Sequence, residues 1–390
     1  MKRMNSIEQS FKVEYDYKLH FTEHLFSKEN TLFNDVLLNY GKGNSTKVLF
    51  VVDDGVHKCH PNLINEINAY CKAHDTVIQV KDVMIVKGGE ECKNDHDNVT
   101  AILKGINEKG ICRHSFVVAI GGGGVIDMVG YAAAIAHRGV KLIRIPTTVL
   151  SQNDSAVGVK NSINEFGKKN FLGTFAPPYA IINDANFLTT LEQRDWISGI
   201  AEAVKVSLIK DESFFDFISD NATKLANREV EAMDHLIYKC AEMHMHHIAQ
   251  GGDPFESGSS RPLDFGHWAA HKLEYMTNYK LRHGEAVAIG IALDVTYACL
   301  VGLIDEKTLD HVLGVLEEIG FNLQIPLHQE IEIDQLLAGI EEFREHLGGE
   351  LTITLISGIG KKHDVHEIDM DKMRKAITMR NTIGQEKVSC

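Results

Sequence analysis

Short runs of apolar residues alternate with helical patterns over roughly the first 190 positions of the chain. Each run is rich in β-branched residues and has the length of a strand buried on both faces. The runs lie at 47–52, 76–80, 116–120, 141–145 and 180–182. Because strands that alternate with helices form parallel sheets, the pattern predicts a doubly wound, Rossmann-like α/β domain over residues 1–190.

The pattern changes at about residue 192, where long amphipathic segments replace the short runs. Apolar residues recur there at the three- and four-residue spacing of helices. The predicted helices are 192–210, 229–250, 264–277, 284–302 and 306–319, and a late strand is predicted at 351–356. Residues 191–390 are therefore expected to form a second, mainly α-helical domain.

Composition and charge narrow the class of protein. The 390 residues carry a formal net charge of −14, which argues against a nucleic-acid surface. The first residues lack the apolar core of a secretory leader, and no apolar run approaches the roughly 20 residues of a membrane span. The seven cysteines are odd in number and form no Cys-x-x-Cys pair, so we expect reduced thiols in a cytoplasmic protein.

A nucleotide site is predicted where the third strand runs into glycines. Gly121, Gly122, Gly123 and Gly124 precede a helix that contains Asp127. Glycines at this point let the backbone approach a pyrophosphate, and the start of the helix offers free N–H donors. The stretch departs from the strict Gly-x-Gly-x-x-Gly pattern, and a plain turn is the alternative interpretation.

The chain after the fourth predicted strand carries groups suited to a phosphate. They are Thr147, Thr148, Asp154, Lys160, Lys168, Lys169 and Asn170. A solvated loop is the alternative. Because open α/β sheets bind ligands at the carboxyl ends of their strands, we favour a phosphate-bearing substrate.

Three segments of the helical half offer ligands to a divalent metal ion. Glu202 and Lys205 share one helix face, as do His267 and His271, and His283 begins a further helix. A carboxylate and two imidazoles leave coordination positions open, which is typical of a catalytic site. A surface ion pair and a chance pair among twenty histidines are the alternatives.

A rival histidine cluster lies at His244, His246 and His247. Neighbouring positions on a helix point in different directions, so His246 and His247 cannot easily bind one ion together. We interpret this cluster as facing the substrate or supporting the site.

Taken in order, the motifs resemble those of the 3-dehydroquinate synthase-like sugar phosphate cyclases, from about Asp53 to Lys361. The matching motifs are Gly89-Glu90-Glu91-Cys92-Lys93, the glycine loop through Asp127, Pro146-Thr147-Thr148, Asp154 to Lys160, Gly167 to Asn170, Phe187 to Leu191, Gly199 to Lys205, Phe265-Gly266-His267 and His283 to Val287. The resemblance implies an NAD-binding α/β domain, a helical metal-binding domain and an active site between them.

The resemblance also implies roles for individual residues. Zinc, or cobalt in its place, would be held by Glu202, His267 and His283. The NAD site would be lined by Asp53, Glu90, Lys93, Gly122, Gly123, Asp127, Thr147, Thr148, Lys169 and Thr190. Catalysis would involve Asp154, Lys205, Glu256, Asp264 and His271. The substrate would be bound by Lys160, Asn170, His246, Ser260 and Arg261, with Arg138 supplied by the second subunit of a homodimer.

The implied reaction uses NAD without consuming it. NAD transiently oxidises a secondary alcohol of the metal-bound substrate, which allows phosphate to leave by elimination. Hydride then returns, and an intramolecular aldol step closes a carbocycle. The implied partner is a phosphorylated small molecule.

The segment before His267 departs from the dehydroquinate-forming enzymes. Counting back without gaps, Glu256 is retained and Arg261 is one position out of register with an expected arginine. The replaced positions are His246 for lysine, Ser260 for arginine and Asp264 for asparagine. A lysine expected before the last strand is also absent, and Arg344 is the nearest basic residue.

These departures bear on the substrate. Charge-assisted hydrogen bonds contribute roughly 1.5–3 kcal/mol each, so the loss of two cations disfavours a carboxylated substrate. We therefore favour sedoheptulose 7-phosphate and a valiolone-type product. The alternatives are 3-dehydroquinate synthesis from 3-deoxy-arabino-heptulosonate 7-phosphate, a metal-dependent glycerol or alcohol dehydrogenase, and a non-catalytic binding protein.

Overall fold

Six parallel strands form one sheet, and all of them lie before residue 185. The computed structural model describes residues 6–41, 44–251, 254–255, 264–327, 329–346 and 349–381. The strands of the first half are β1 (Lys18–Thr22), β2 (Thr46–Asp53), β3 (Ile78–Val86), β4 (Phe116–Gly121), β5 (Lys141–Pro146), β6 (Lys160–Glu165), β7 (Lys168–Phe175) and β8 (Ala180–Asp184). The order across the sheet is β1-β8-β5-β4-β2-β3, and β6 and β7 form a separate hairpin.

Helices connect these strands and cover the sheet. They are α1 (Leu32–Gly41), α2 (Asp54–Cys59), α3 (Leu63–Ala73), α4 (His96–Glu108) and α5 (Gly123–Ile135). The apolar runs of β2 and β4 are fully buried, as expected of strands covered on both faces. The predicted parallel α/β architecture is confirmed.

Two features of this half differ from the sequence pattern. β1 is an edge strand paired to β8, and its five residues of mixed polarity are too few to give a clear signal. The β6–β7 hairpin occupies the segment for which a solvated loop was the alternative. Its exposed and half-buried positions follow one another irregularly along β7.

The strand order reverses between β2 and β4. The chain passes from β2 to β3 on one side of the sheet, and then crosses back to β4, β5 and β8 on the other side. Ligands of open α/β sheets bind at such a reversal, outside the carboxyl ends of the strands. Asp53 ends β2 at this point, and the glycine loop follows β4.

The second half is mainly helical, as predicted. Its helices are α6 (Gln193–Ser198), α7 (Ile200–Lys210), α8 (Glu212–Asp220), α9 (Ala222–Ala226), α10 (Val230–Gln250), α11 (His267–Met276), α12 (His283–Leu300), α13 (Glu306–Ile319), α14 (Glu330–His346) and α15 (Met370–Met379). A small antiparallel pair, β9 (Ile353–Gly358) and β10 (Lys361–Val365), lies between the last two helices.

Helix α12 lies at the centre of the helical half. Among the described helices it is the one long and apolar enough to cross a membrane, which the sequence pattern did not indicate. Its apolar window is 78% buried within the fold. Burial of this kind is typical of a core helix, and it explains why α12 is apolar on all sides.

Candidate functional site

The three predicted metal ligands lie in the first turns of three helices. Glu202 is the third residue of α7, and His267 and His283 are the first residues of α11 and α12. Their ligand atoms lie within 4.8 Å of one another. The structure therefore brings together side chains that are up to 81 positions apart in the sequence.

Glycines allow the helix starts to approach so closely. A side chain at Gly284 would collide with the backbone oxygen of Ser198, and one at Gly290 would collide with that of Gly266. Gly266 also has a left-handed φ of 76°, which glycine adopts without strain. The chain can therefore turn sharply into α11 and present His267 to the site.

The geometry of this group fits a divalent metal. Nε2 of His267 lies 3.6 Å from Oε1 of Glu202, and Nε2 of His283 lies 3.4 Å from the same atom. Tetrahedral coordination at about 2.1 Å places ligand atoms about 3.4 Å apart. Glu202 is fully buried, and among the described residues neither of its carboxylate oxygens makes a hydrogen bond of good geometry. Oε2 faces the Lys205 ammonium, and a metal cation would satisfy Oε1, on which both imidazoles converge.

The other ring nitrogen of each histidine is anchored. Nδ1 of His267 lies 3.1 Å from the carbonyl oxygen of Phe265, to which it donates. Nδ1 of His283 lies 3.1 Å from Oε2 of Glu274. These contacts direct both Nε2 lone pairs towards Glu202, as in metal sites where a carboxylate or carbonyl orients the imidazole. Glu274 was not singled out by the sequence analysis.

A buried aspartate holds the turn that precedes His267. Asp294 of α12 accepts hydrogen bonds from the backbone N–H of Gly266 and the indole N–H of Trp268, each at 2.9 Å. Burial raises the pKa of Asp294 to about 7. Asp294 therefore anchors the backbone before His267 and the side chain after it, although no sequence motif indicated it.

Lys205 lies against Glu202, beside the predicted metal ligands. Its ammonium contacts Oε2 of Glu202, and both side chains are almost fully buried. Burial alone lowers the pKa of Lys205, but the carboxylates of Glu202, Asp154 and Asp264 outweigh it and raise that pKa. In turn, burial acts to raise the pKa of Glu202, whereas the Lys205 ammonium and the two histidines hold it well below its usual range. Lys205 is therefore a cation at neutral pH.

Asp154 is placed by an irregular turn and a neighbouring helix. It lies in a π-helical turn, Ser151–Ser155, which follows β5, and such turns are frequent at functional sites. Nδ1 of His244 on α10 lies 3.1 Å from Oδ1 of Asp154. His246 lies two residues after His244 on α10, a rotation of about 200° around the helix axis. Its side chain is exposed. The helix thus points His244 towards this part of the site.

A buried arginine organises the segment that follows Asp154. Arg144 of β5 is fully buried, and burial lowers its pKa to about 10. Its guanidinium donates to the backbone oxygens of Ala156, Gly158 and Lys160 and to Oδ1 of Asn161. These four acceptors bind the two terminal nitrogens of the guanidinium and fix the path of the chain from Asp154 to Lys160.

The residues predicted to bind NAD gather at the carboxyl edge of the sheet. Helix α5 starts immediately after Gly122, and no side chain of the described residues caps its N-terminus. Asp53 accepts hydrogen bonds from the backbone N–H groups of Gly55 and Val56, and burial raises its pKa. Thr148 contacts Ser151, and the Thr190 hydroxyl lies 2.9 Å from Nε2 of His60. This arrangement fits a pyrophosphate at the start of α5.

Charged groups continue from the glycine loop towards the metal group. Nζ of Lys93 lies 2.8 Å from Oδ2 of Asp127 and 3.7 Å from Oε1 of Glu90. Nζ of Lys169 lies 3.8 Å from the same Glu90 oxygen and 3.0 Å from Oε1 of Glu274. Burial alone lowers the pKa values of both lysines, but the neighbouring carboxylates outweigh it and raise them.

The remaining predicted residues are placed as follows. The His271 ring lies beside those of His267 and His283, with centroids 5.4 and 6.0 Å away. Asn170 contacts Lys93 and accepts a hydrogen bond from Ser162. Arg344 pairs with Glu341 on its own helix. Glu256, Ser260 and Arg261 lie outside the described residues.

Arg138 is separated from this site by the whole depth of the sheet. Helix α5 begins at the carboxyl edge, so Arg138, three residues beyond its end, lies at the opposite edge. The side chain is exposed, and His137 and Arg138 both have left-handed φ values, 51° and 64°. Arg138 therefore lies on the far side of the sheet from the predicted metal ligands.

Comparison with known proteins agrees with the motifs. The family models for the N-terminal and C-terminal parts of 3-dehydroquinate synthase match residues 83–198 and 199–343. The 3-dehydroquinate synthase of Alkaliphilus metalliredigens is 33% identical over 320 residues, which are 82% of this chain and 86% of the relative.

Solved structures share the fold. A 2-epi-5-epi-valiolone synthase, ValA from Streptomyces hygroscopicus subsp. jinggangensis 5008, was solved with NAD+ and Zn2+ bound. It is 26% identical with a TM-score of 0.85, covering 96% of this chain and 99% of that one. A 2-deoxy-scyllo-inosose synthase complexed with carbaglucose-6-phosphate, NAD+ and Co2+ has the same fold at 23% identity, with a TM-score of 0.76 and coverage of 93% and 96%. The chain belongs to the 3-dehydroquinate synthase-like family of sugar phosphate cyclases.

Proposed function

We propose that this enzyme eliminates phosphate from sedoheptulose 7-phosphate and closes the product into a valiolone-type carbocycle. The proposal rests on one observation about charge. The Lys205 ammonium contacts Glu202, and the carboxylates of Asp154 and Asp264 also act on it electrostatically. With an asparagine in place of Asp264 the cluster would carry one negative charge less, so this chain opposes a substrate carboxylate here.

The cofactors we propose are NAD and zinc, with cobalt as the alternative metal. Glu202, His267 and His283 would hold the metal, and the glycine loop with its surrounding residues would hold NAD. When bound, these groups supply a transient hydride acceptor and a Lewis acid for the substrate oxygens. ValA, which shares the fold, was solved with this pair.

The side chains of the cleft have distinct proposed tasks. The Lys205 ammonium stabilises negative charge that develops on a substrate oxygen. Asp154, oriented by His244, accepts a hydrogen bond from a substrate hydroxyl, and the His271 imidazole transfers a proton at a ring nitrogen. Lys160 and Asn170 bind the phosphate.

We further propose a cytoplasmic homodimer in which each phosphate is completed by the partner subunit's Arg138. The position of Arg138 at the amino edge of the sheet supports this, because it cannot serve its own site. The six cysteines in the described part of the chain are free thiols, which suits a reducing compartment.

The substrate is tested by comparing the two seven-carbon candidates. We expect kcat/KM for phosphate release to be higher with sedoheptulose 7-phosphate than with 3-deoxy-arabino-heptulosonate 7-phosphate. Asp264→Asn should shift this ratio towards the carboxylated sugar by at least about tenfold, because one like charge is removed. Asp216→Asn, an exposed position on α8, serves as the control and should leave the ratio unchanged. A wild-type preference for the heptulosonate would overturn the substrate assignment and favour 3-dehydroquinate synthesis.

A further inference from the structure

Glu274 is a buried carboxylate with two partners from different parts of the fold. It lies on α11 seven residues after His267, and therefore on the same helix face as His267 and His271. Its side chain is 4% exposed. One oxygen accepts from Lys169 of the β6–β7 hairpin at 3.0 Å, and the other from Nδ1 of His283 at 3.1 Å.

These two contacts complete a continuous chain of ionisable groups. Starting at the glycine loop, the successive groups are Asp127, Lys93, Glu90, Lys169, Glu274, His283, Glu202 and Lys205. No step between neighbours exceeds 3.8 Å. The chain begins among residues proposed to bind NAD and ends among those proposed to bind the metal. Glu274 is the link at which the two groups meet.

We infer that Glu274 couples the NAD site to the metal site, so that each ligand increases the affinity for the other. This inference rests on the proposed cofactor sites and adds a positioning residue to them. Lys169 and His283 compete for the negative charge of one carboxylate. Whatever draws Lys169 away leaves more of that charge to His283.

The sign of the coupling follows from this competition. An acceptor oxygen of NAD that takes a hydrogen bond from Lys169 weakens the contact between Lys169 and Glu274. Glu274 then bonds more strongly to Nδ1–H of His283, which makes Nε2 a better electron donor to a metal. In the other direction, a metal on Nε2 strengthens the bond to Glu274 and releases Lys169 for NAD. Linkage requires the two effects to be equal.

The coupling is measured on purified full-length protein freed of metal and nucleotide. Zinc affinity is determined by competition with a chelating dye, with and without saturating NAD, and NAD affinity with and without zinc. We expect NAD to tighten zinc binding by roughly five- to fiftyfold, within the usual range of coupling energies. Zinc should tighten NAD binding by the same factor.

Glu274→Gln tests the residue itself. Glutamine keeps the shape but loses the charge, so we expect zinc affinity without NAD to fall roughly 10–100-fold and the coupling factor to fall to near unity. Glu342→Gln is the matched control. Oε1 of Glu342 on α14 lies 2.5 Å from Nζ of Lys272, which is on α11 like Glu274. The substitution therefore removes a carboxylate paired with α11 that is not a partner of Lys169 or His283. It should leave the coupling unchanged.

A second variant, Lys169→Met, removes the partner of Glu274 on the side of the proposed NAD site. Lys169→Met should weaken NAD binding and abolish the coupling. Zinc affinity without NAD should rise towards the value that the wild type reaches with NAD, because the competitor for Glu274 is gone. It keeps the inference testable if Glu274→Gln does not fold. Cobalt spectra of each variant report whether the ligand set is retained.

The outcomes separate this inference from the proposed function. If the wild type binds neither zinc nor NAD, the proposed cofactors are wrong and the inferred coupling is overturned as well. If it binds both and releases phosphate but shows no coupling, the inference alone is overturned. Coupling that survives in both Glu274→Gln and Lys169→Met also overturns it.

Discussion

Glu202→Gln is expected to abolish stoichiometric metal binding and to lower kcat/KM at least about a thousandfold, because a Lewis acid contributes several kcal/mol to such a reaction. Glu202 is the point on which both imidazole nitrogens converge, at 3.4 and 3.6 Å. Glutamine preserves the shape of the side chain but offers a neutral oxygen. The loss should therefore come from the charge and not from the packing.

Metal content and turnover of purified Glu202→Gln are the relevant measurements. Glu341→Gln, an exposed position on α14 whose side chain is 65% accessible, is the control and should match the wild type in both. The thermal unfolding midpoint of each protein shows whether the fold is intact. A folded Glu202→Gln protein that retains zinc and full turnover would exclude Glu202 as a ligand.

Arg138→Ala is expected to lower kcat/KM roughly a hundredfold by removing a charge-assisted contact to the phosphate. The loss should be repaired by mixing subunits. In a dimer of one Arg138→Ala subunit and one Glu202→Gln subunit, the site with an intact Glu202 receives an intact arginine from its partner. Random exchange of equal amounts of the two inactive variants should therefore restore about one quarter of the wild-type activity.

A mixture of Glu202→Gln and Lys205→Met is the control for this exchange. Both residues belong to the same subunit's site, so every site in a mixed dimer remains defective and no activity should return. If Arg138→Ala and Glu202→Gln also fail to restore one another under conditions where subunits exchange, Arg138 does not act across an interface.

Periodic patterns were sufficient to predict the parallel sheet and the helical second half, whereas the group of Glu202, His267 and His283 was singled out by the family resemblance of its motifs. Each of these depends on local chemistry, such as buried strand runs, helix spacing and glycines that allow close backbone contact. The β6–β7 hairpin was not predicted, because the buried positions of β6 are mostly polar and β7 exposes its phenylalanines, so burial leaves no apolar pattern in the sequence.

The supporting residues could not be predicted for a different reason. Glu274, Asp294 and Arg144 act on partners that are close in space but distant in the sequence, and each is a single charged residue within an unremarkable helix or strand. The placement of His244 against Asp154 depends on the phase of α10, which a gapless count back from His267 does not determine. Contacts of this kind are determined by how the helices and strands pack, which local sequence patterns do not specify.

The balance of phosphate and reduced nicotinamide is the most direct test of the proposed chemistry. Purified enzyme is supplied with NAD, zinc and sedoheptulose 7-phosphate, and orthophosphate, carbocycle and NADH are followed together. We predict phosphate and carbocycle in equal amounts with no net NADH, because the hydride returns to the substrate within each turnover. Accumulation of NADH without phosphate release would contradict the cyclase assignment and identify a metal-dependent alcohol dehydrogenase.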